Sequence, residues 1–212
     1  MLPGLKDIDY KILNYLSDKE LVDFCRDRNE TCRDENFWRL RAMDKFSYVP
    51  PDILLKGKGV RKWSEYYIND LIKIKGTLED LISASKHGRL HRVIISIHNG
   101  ADKFLETQGV YSINAAISNN HFEVVKYLIE RGTNLGNSIL AALEQNNLDL
   151  VKYLVEHGAN IESRSILYAI TNNNLPMVKY LVENGADIHA HDPIKYAILK
   201  KRPKILEYLL SL

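Results

Sequence analysis

Only two cysteines, Cys25 and Cys32, occur in 212 residues. That is too few for the disulfide framework of a small secreted domain. Spaced seven apart, they would share one face of a single helix. They read as buried free thiols in a reducing compartment. A zinc site would need two more ligands at suitable spacing, and none is present. Long apolar runs are also missing. None approaches the ~20 residues that span a bilayer, so no membrane partner is expected. The opening Met1-Leu2-Pro3-Gly4 soon turns charged and does not read as a signal peptide. The expected location is therefore intracellular, cytoplasmic or nuclear. Excess charge of one sign is lacking too. With 29 basic and 27 acidic residues the net charge is +2, which argues against nucleic acid or an anionic surface as the main partner.

Catalytic signatures are equally scarce. Lys56-Gly57-Lys58-Gly59 does not meet the phosphate-loop spacing and reads as a flexible linker. His87 and His91 stand four apart, as a metal pair on a helix would, but no Glu follows His87. His189-Ala190-His191-Asp192 falls in a turn. No local Ser/His/Asp or Cys/His set appears. We expect no enzyme, no cofactor and no metal.

What the chain does contain is a repeated phrase. Val124-Val125-Lys126-Tyr127-Leu128 returns as Leu150-Val151-Lys152-Tyr153-Leu154 and as Met177-Val178-Lys179-Tyr180-Leu181. A weaker form is Ile205-Leu206-Glu207-Tyr208-Leu209. The four tyrosines are 26, 27 and 28 residues apart, a period that signals a helical solenoid. Before each phrase lies a shorter helical stretch. Ala116, Ala142, Ala169 and Ala197 recur in it at one position, where a small side chain lets helix pairs approach. Ser138 and Ser165 are placed to cap these short helices. Gly132, Gly158 and Gly185 stand where the longer helix must stop. A divergent copy runs from Leu78 to Asp102. One such unit cannot stand alone, and stacking on neighbours makes the array stable. The tyrosines are expected to pack between repeats with their hydroxyls at the edge.

The amino-terminal third has no such period. Ile8, Ile12, Leu13 and Leu16 form one apolar face; Leu21, Val22, Phe24 and Cys25 form a second. A third element carries Phe37-Trp38-Arg39. Tyr48-Val49-Pro50-Pro51-Asp52 interrupts the pattern. From Lys62 to Ile74 the spacing of Trp63, Tyr66, Tyr67, Leu71 and Ile74 predicts one bridging helix.

The wording of residues 78–212 resembles the ankyrin repeat. The copies are shorter than the family's length of about 33, and only Asp192-Pro193-Ile194 is similar to its opening. The missing residues fall where the family has its projecting hairpin, so the fingers are expected to shrink to turns. Residues 5–45 resemble an F-box in Ile12-Leu13, Leu16-Ser17-Asp18-Lys19-Glu20-Leu21, Cys25-Arg26 and Asp34-Glu35-Asn36-Phe37-Trp38-Arg39. The family's opening is absent, and Lys6-Asp7-Ile8-Asp9 stands in its place. The order of parts is similar to that of ankyrin proteins of giant DNA viruses. The expected fold is all-α: a helical F-box-like unit over 1–47, a linker and bridging helix over 48–77, and about five short repeats over 78–212.

These resemblances imply a protein-binding adaptor. An F-box docks onto the Skp-type adaptor of a cullin-RING ubiquitin ligase, and the matching apolar residues are Ile8, Ile12, Leu13, Leu16, Leu21 and Trp38. The alternative is a binding scaffold with no ligase link, the first helices serving only as a cap. A client protein is expected on inner-helix positions that differ between copies: Ser118 and Asn119, Glu144 and Gln145, Thr171 and Asn172, Lys200 and Lys201. The last helix, Ile205 to Leu212, has only Glu207 and Ser211 as polar residues. Its leucines are expected to meet either a second copy or the protein's own packing.

Overall fold

The structure, a computed structural model, describes residues 16–27 and 31–212. The apolar positions Ile8, Ile12 and Leu13 lie outside them. Fourteen α-helices and three short 3-10 turns make up the described residues, with no strand among them. The chain divides into two compact units. The first takes the described residues up to Ala84 together with Arg89–Asp102, and the second takes Ser85–Gly88 and Lys103–Leu212.

The first unit begins with α1 (Asp18–Asp27) and α2 (Glu35–Lys45). Ser17 starts α1 with a capping box. The Glu20 N–H donates to the Ser17 hydroxyl at 3.3 Å, and the Ser17 N–H donates to the Glu20 carboxylate at 2.8 Å. Asp18 is thereby free for tertiary work. It accepts from the Tyr67 hydroxyl at 2.6 Å and pairs with Lys45 and Arg41. Burial pushes its carboxyl up, but Lys45, Tyr67 and Arg41 outweigh burial and hold it below its ordinary value.

Three expectations change in this unit. The Lys56–Gly59 stretch is not a linker. Pro51 opens α3 (Pro51–Lys58) at its first turn, and Gly59 closes it in the left-handed region at φ +58°. Gly57 sits inside this helix because a Cβ there would overlap the His91 ring. The bridging helix is broken as well. α4 (Trp63–Asn69) stops at Asp70, and a 3-10 turn, Leu71–Lys73, follows. Asp70 is buried and accepts from Arg61 at 2.9 Å and Arg92 at 2.6 Å, so the chain turns where that carboxylate must face both guanidiniums. The third change is at the cysteines. Cys25 and Cys32 are joined in a disulfide, with Cα atoms 5.6 Å apart. They are not on one helix: Cys25 lies on α1 and Cys32 in the 3-10 turn Thr31–Arg33. We therefore expect thiol titration of the denatured, unreduced protein to find no free thiol, and two after reduction.

α5 (Leu78–Lys86) and α6 (Leu90–His98) are the divergent first copy. α6 packs on α3, so this copy joins the first unit by its outer helix. The repeat pattern begins at 78, whereas the compact second unit takes the continuous chain only from 103.

The second unit is a stack of helix pairs. Inner helices are α7 (Leu105–Ser118), α9 (Ser138–Glu144), α11 (Ser165–Thr171) and α13 (Pro193–Leu199). Outer helices are α8 (Phe122–Glu130), α10 (Leu148–Glu156), α12 (Leu175–Glu183) and α14 (Pro203–Leu210). Each inner helix packs on its own outer helix and on the next inner helix. The recurring alanines 116, 142, 169 and 197 are buried at that contact. α7 starts at Leu105 and, at 14 residues, is twice as long as the other inner helices. It accommodates Gly109 because the Thr133 methyl occupies the space of a Cβ.

Ser138 and Ser165 do not cap. Each is the first helical residue rather than the residue before it, and its hydroxyl is buried without a partner, as is that of Ser112. A cap must precede the helix for its oxygen to reach the free N–H groups. Side-chain caps fall instead on two outer helices and on the last inner helix, where the Asp192 carboxylate accepts from the Lys195 N–H at 3.1 Å. The Asn147 side chain accepts from the Leu150 N–H and that of Asn174 from the Met177 N–H, both at 3.0 Å.

Each inner helix ends on a residue in the left-handed region. Asn120, Asn146, Asn173 and Lys201 have φ of 59°, 52°, 54° and 55°. Asparagine tolerates this conformation, whereas most L residues lose about 1–2 kcal/mol there. Lys201→Gly is expected to stabilise the last repeat by about 0.5–1 kcal/mol. The check is a higher urea midpoint followed by far-ultraviolet circular dichroism.

Candidate functional site

Repeats join one another through side chains that reach back one copy. An inner helix leaves its last carbonyls without helical partners, and the next repeat supplies donors. The Asn172 amide donates to the Leu143 carbonyl at 3.0 Å, and Arg202 donates to the carbonyls of Ile170 and Thr171 at 3.3 and 3.0 Å. The His121 Nε2 lies 3.0 Å from the Lys86 carbonyl oxygen. Asn174 donates to the Asn146 side chain at 2.8 Å.

The outer helices carry a second set of links. Lys152 lies over the Tyr180 ring at 5.8 Å, and Lys179 over the Tyr208 ring at 5.4 Å. The lysine of one copy of the phrase thus covers the tyrosine of the next, a cation–π contact. Partial burial, with the preceding repeat's glutamate beside each ring, raises the hydroxyls of Tyr153, Tyr180 and Tyr208 above their ordinary value. The phrase thus works between repeats.

All eight expected client positions are exposed. In the first three repeats they are the last residue of the inner helix and the one after it, and Lys200 and Lys201 are the two residues that follow α13. Not all are free to bind. The Asn172 amide holds the preceding repeat, and the Asn119 amide donates to the Ala115 carbonyl at 2.9 Å. Lys201 sets the turn. Ser118, Glu144, Gln145, Thr171 and Lys200 remain. Thr171 lies 3.1 Å from the Tyr196 hydroxyl, and the Lys200 ammonium lies over the Tyr196 ring at 5.4 Å.

A row one and two turns earlier was missed by the sequence reading. Tyr111 is 61% exposed on α7. Leu140 and Ala141 on α9, Leu167 and Tyr168 on α11, and Tyr196 on α13 are half-buried. These residues stand three, four or seven positions before the expected ones, so the helical period itself could have found them. Leu199 extends the row at 69% exposure. Together they form an aromatic and aliphatic strip with Glu144 near its middle and Lys195 and Lys200 toward its end. A cavity of about 250 Å³, lined by none of these residues, opens between the turns at 120–122 and 147–150. Its apolar wall is Ile117, Phe122, Val125 and Leu150, and its polar rim is Asn120, His121, Asn147 and Asp149.

In the first unit the docking positions divide. Leu16 is half-buried. Leu21 and Trp38 are 0% exposed, buried within the unit's own core. The Trp38 indole N–H donates to the Cys32 carbonyl at 2.8 Å, and its ring lies 5.5 Å from that of Tyr67.

No group of three or more His, Cys, Asp or Glu among the described residues is arranged to hold a metal ion. His91 is instead a core residue, edge-on to Tyr66 at 5.6 Å. No described helix is long and apolar enough to cross a membrane. A family model for ankyrin repeats, in three copies, matches residues 81–165 and 140–212. No curated protein matches the chain.

Proposed function

The chain belongs to the ankyrin-repeat family, and on that premise we propose that it is a binding adaptor for a client protein held on its inner helices. The reading rests on one observation. Across four successive inner helices, exposed side chains that differ from copy to copy lie on a frame whose buried positions recur. A stack of this kind presents such residues as one continuous surface. Tyr111, Tyr168 and Tyr196 give that surface the aromatic anchors on which binding energy concentrates. Glu144, Gln145, Thr171 and Lys200 supply the polar contacts around them.

The first helices, by their likeness to an F-box, would dock the complex to a Skp-type adaptor of a cullin-RING ubiquitin ligase. The likeness to giant-virus proteins would place client and ligase in a host cell. With Leu21 and Trp38 inside the core, this docking rests on Ile8, Ile12, Leu13 and Leu16. The same burial favours the second reading, a binding scaffold in which these helices only cap the array.

Two measurements decide. Proximity labelling identifies the client. Tyr168→Ala with Tyr196→Ala should then weaken its binding at least about tenfold, or 1.4 kcal/mol. Unchanged affinity removes the inner strip as the site. For the ligase, purified Skp-type adaptor should retain the wild type and lose Leu13→Asp/Leu16→Asp. No retention of the wild type leaves the scaffold reading alone.

A further inference from the structure

Charge is divided unevenly among the four helix pairs of the second unit. Aligned on the buried alanine, each copy has a stretch that runs along the inner helix to the first turn of the outer one. Residues 112–123 hold one carboxylate and no lysine or arginine, residues 138–149 hold two carboxylates, and residues 165–176 hold no charge. Residues 193–204 hold four lysines, one arginine and no carboxylate. Arg202 is engaged by the carbonyls of Ile170 and Thr171. The lysines are not so engaged. Lys195, Lys200, Lys201 and Lys204 are exposed, and among the described residues no carboxylate pairs with them. Like charges so close repel one another. The fold itself does not ask for them. Lys204 stands in the first turn of α14, where a helix favours an acid, and Glu123 and Asp149 hold that position in α8 and α10. Nor does the end of the array expose them. The equivalent Gln145, Asn146, Asn172 and Asn173 are exposed with a helix pair on either side.

We propose that the client segment at the last repeat is acidic, its carboxylates seated on Lys200, Lys201 and Lys204, an inference that rests on there being a client on the inner helices. The patch is continuous with the strip. The Lys200 ammonium lies over the Tyr196 ring at 5.4 Å, and Leu199 is exposed beside it. An apolar residue next to the acids would therefore meet Tyr196 and Leu199. A nucleic acid fits less well. Glu144 and Asp149, two repeats away, repel a backbone of uniform negative charge, whereas a peptide can change sign along its length. Lysines act as point charges without the planar fork of arginine. The patch thus selects for negative charge and for which end of the client meets the last repeat, and its grip is screened by salt.

The probe is a fluorescein-labelled peptide of glutamates flanked by leucines, compared with its glutamine counterpart by anisotropy on the full chain. The acidic peptide should bind with a dissociation constant of about 100 μM, and the glutamine peptide at least about tenfold more weakly. Raising salt from about 0.05 to 0.5 M should weaken the acidic peptide at least about tenfold. Lys200→Glu/Lys204→Glu should do the same with unchanged thermal melting. Lys56→Glu/Lys75→Glu, an equal change of charge in the first unit, should leave binding as it was. Equal binding of the two peptides overturns the proposal, as does unchanged affinity in the first variant or an equal loss in the second. Tighter binding of single-stranded DNA of the same charge overturns it in favour of a nucleic-acid contact. If the acidic peptide does not bind while Tyr168→Ala/Tyr196→Ala still weakens the client found by proximity labelling, this inference fails and the client reading stands. If that tyrosine pair leaves the client unaffected, the client reading fails and this inference falls with it.

Discussion

Lowering the pH from 7 to 4 is expected to cost the first unit about 3 kcal/mol of stability, and His91→Phe should remove most of that loss. His91 is 4% exposed, and its Nε2 has no partner. Burial drives its pKa from 6.5 down to about 4. The Asp70 carboxylate opposes that drop, while Arg92, Arg61 and Arg89 add to it. The unfolded chain therefore takes up the imidazole proton at a higher pH than the folded chain does. Stability from the neutral ring is complete above about pH 6.5 and is lost as the pH falls from there through about 4. The full shift of some 2.5 pH units at about 1.4 kcal/mol each is about 3.5 kcal/mol, of which about 3 is lost by pH 4, where the folded imidazole is half protonated.

The measurement is helped by the placing of the tryptophans. Both, Trp38 and Trp63, lie in the first unit. Urea unfolding followed by tryptophan fluorescence thus reads this unit, while circular dichroism is dominated by the repeats. Phenylalanine keeps a ring beside Gly57 and Tyr66 and cannot titrate. Asp18 also loses its contribution in acid, but lower down. Its carboxyl is held below 3.8, so that loss begins only as the pH falls past the unfolded value. A His91→Phe protein that still loses about 3 kcal/mol between pH 7 and 4 would show that another group is responsible.

Trp38→Ala is expected to cost about 3–5 kcal/mol, the range for truncating a fully buried large aromatic side chain. The indole lies between Phe37, edge-on at 5.2 Å, and Tyr67 at 5.5 Å, with its N–H satisfied by Cys32. Truncation leaves a cavity beside two aromatic rings and orphans that carbonyl. A small unit has only about 5–15 kcal/mol in total, so the variant should be partly unfolded in mild urea. Trp63 then serves as the single fluorescent reporter. The result also bears on the ligase reading. If Trp38→Ala unfolds at the wild-type urea midpoint and loses only adaptor binding, the indole is a docking residue and not a core residue.

The repeats were far more legible in the sequence than the helices before them, for a physical reason. Four copies of one phrase register against each other, so the glycine stops at 132, 158 and 185 and the buried alanines could be assigned by alignment alone. In the first unit each outcome depends on residues far apart in the chain. Gly57 reads as a linker until the His91 ring is placed against it. Asp70 reads as an ordinary helix residue until Arg61 and Arg92 converge on it. Cys25 and Cys32 fit one helix until they are found on two separate elements joined by a disulfide. Even within the repeats, period alone misled where a single residue's shift matters. Ser138 and Ser165 were read as preceding their helices, but they begin them. The exposed aromatic and aliphatic row one and two turns earlier went unread, because attention fell on the residues that differ most between copies.

The bonds between repeats bear on how such a chain can lengthen. The Asn174 amide meets the Asn146 side chain, and Asn172 meets the Leu143 carbonyl. Donor and acceptor belong to one template, displaced by one copy. A duplicated helix pair inserted after Asn174 would arrive with its own backward-reaching amides, and its turn would offer the acceptors that the following pair requires. Growth by whole modules therefore needs no new joint. Only the exposed strip would acquire new text, so the length of the binding surface can change while the way repeats attach to each other stays the same.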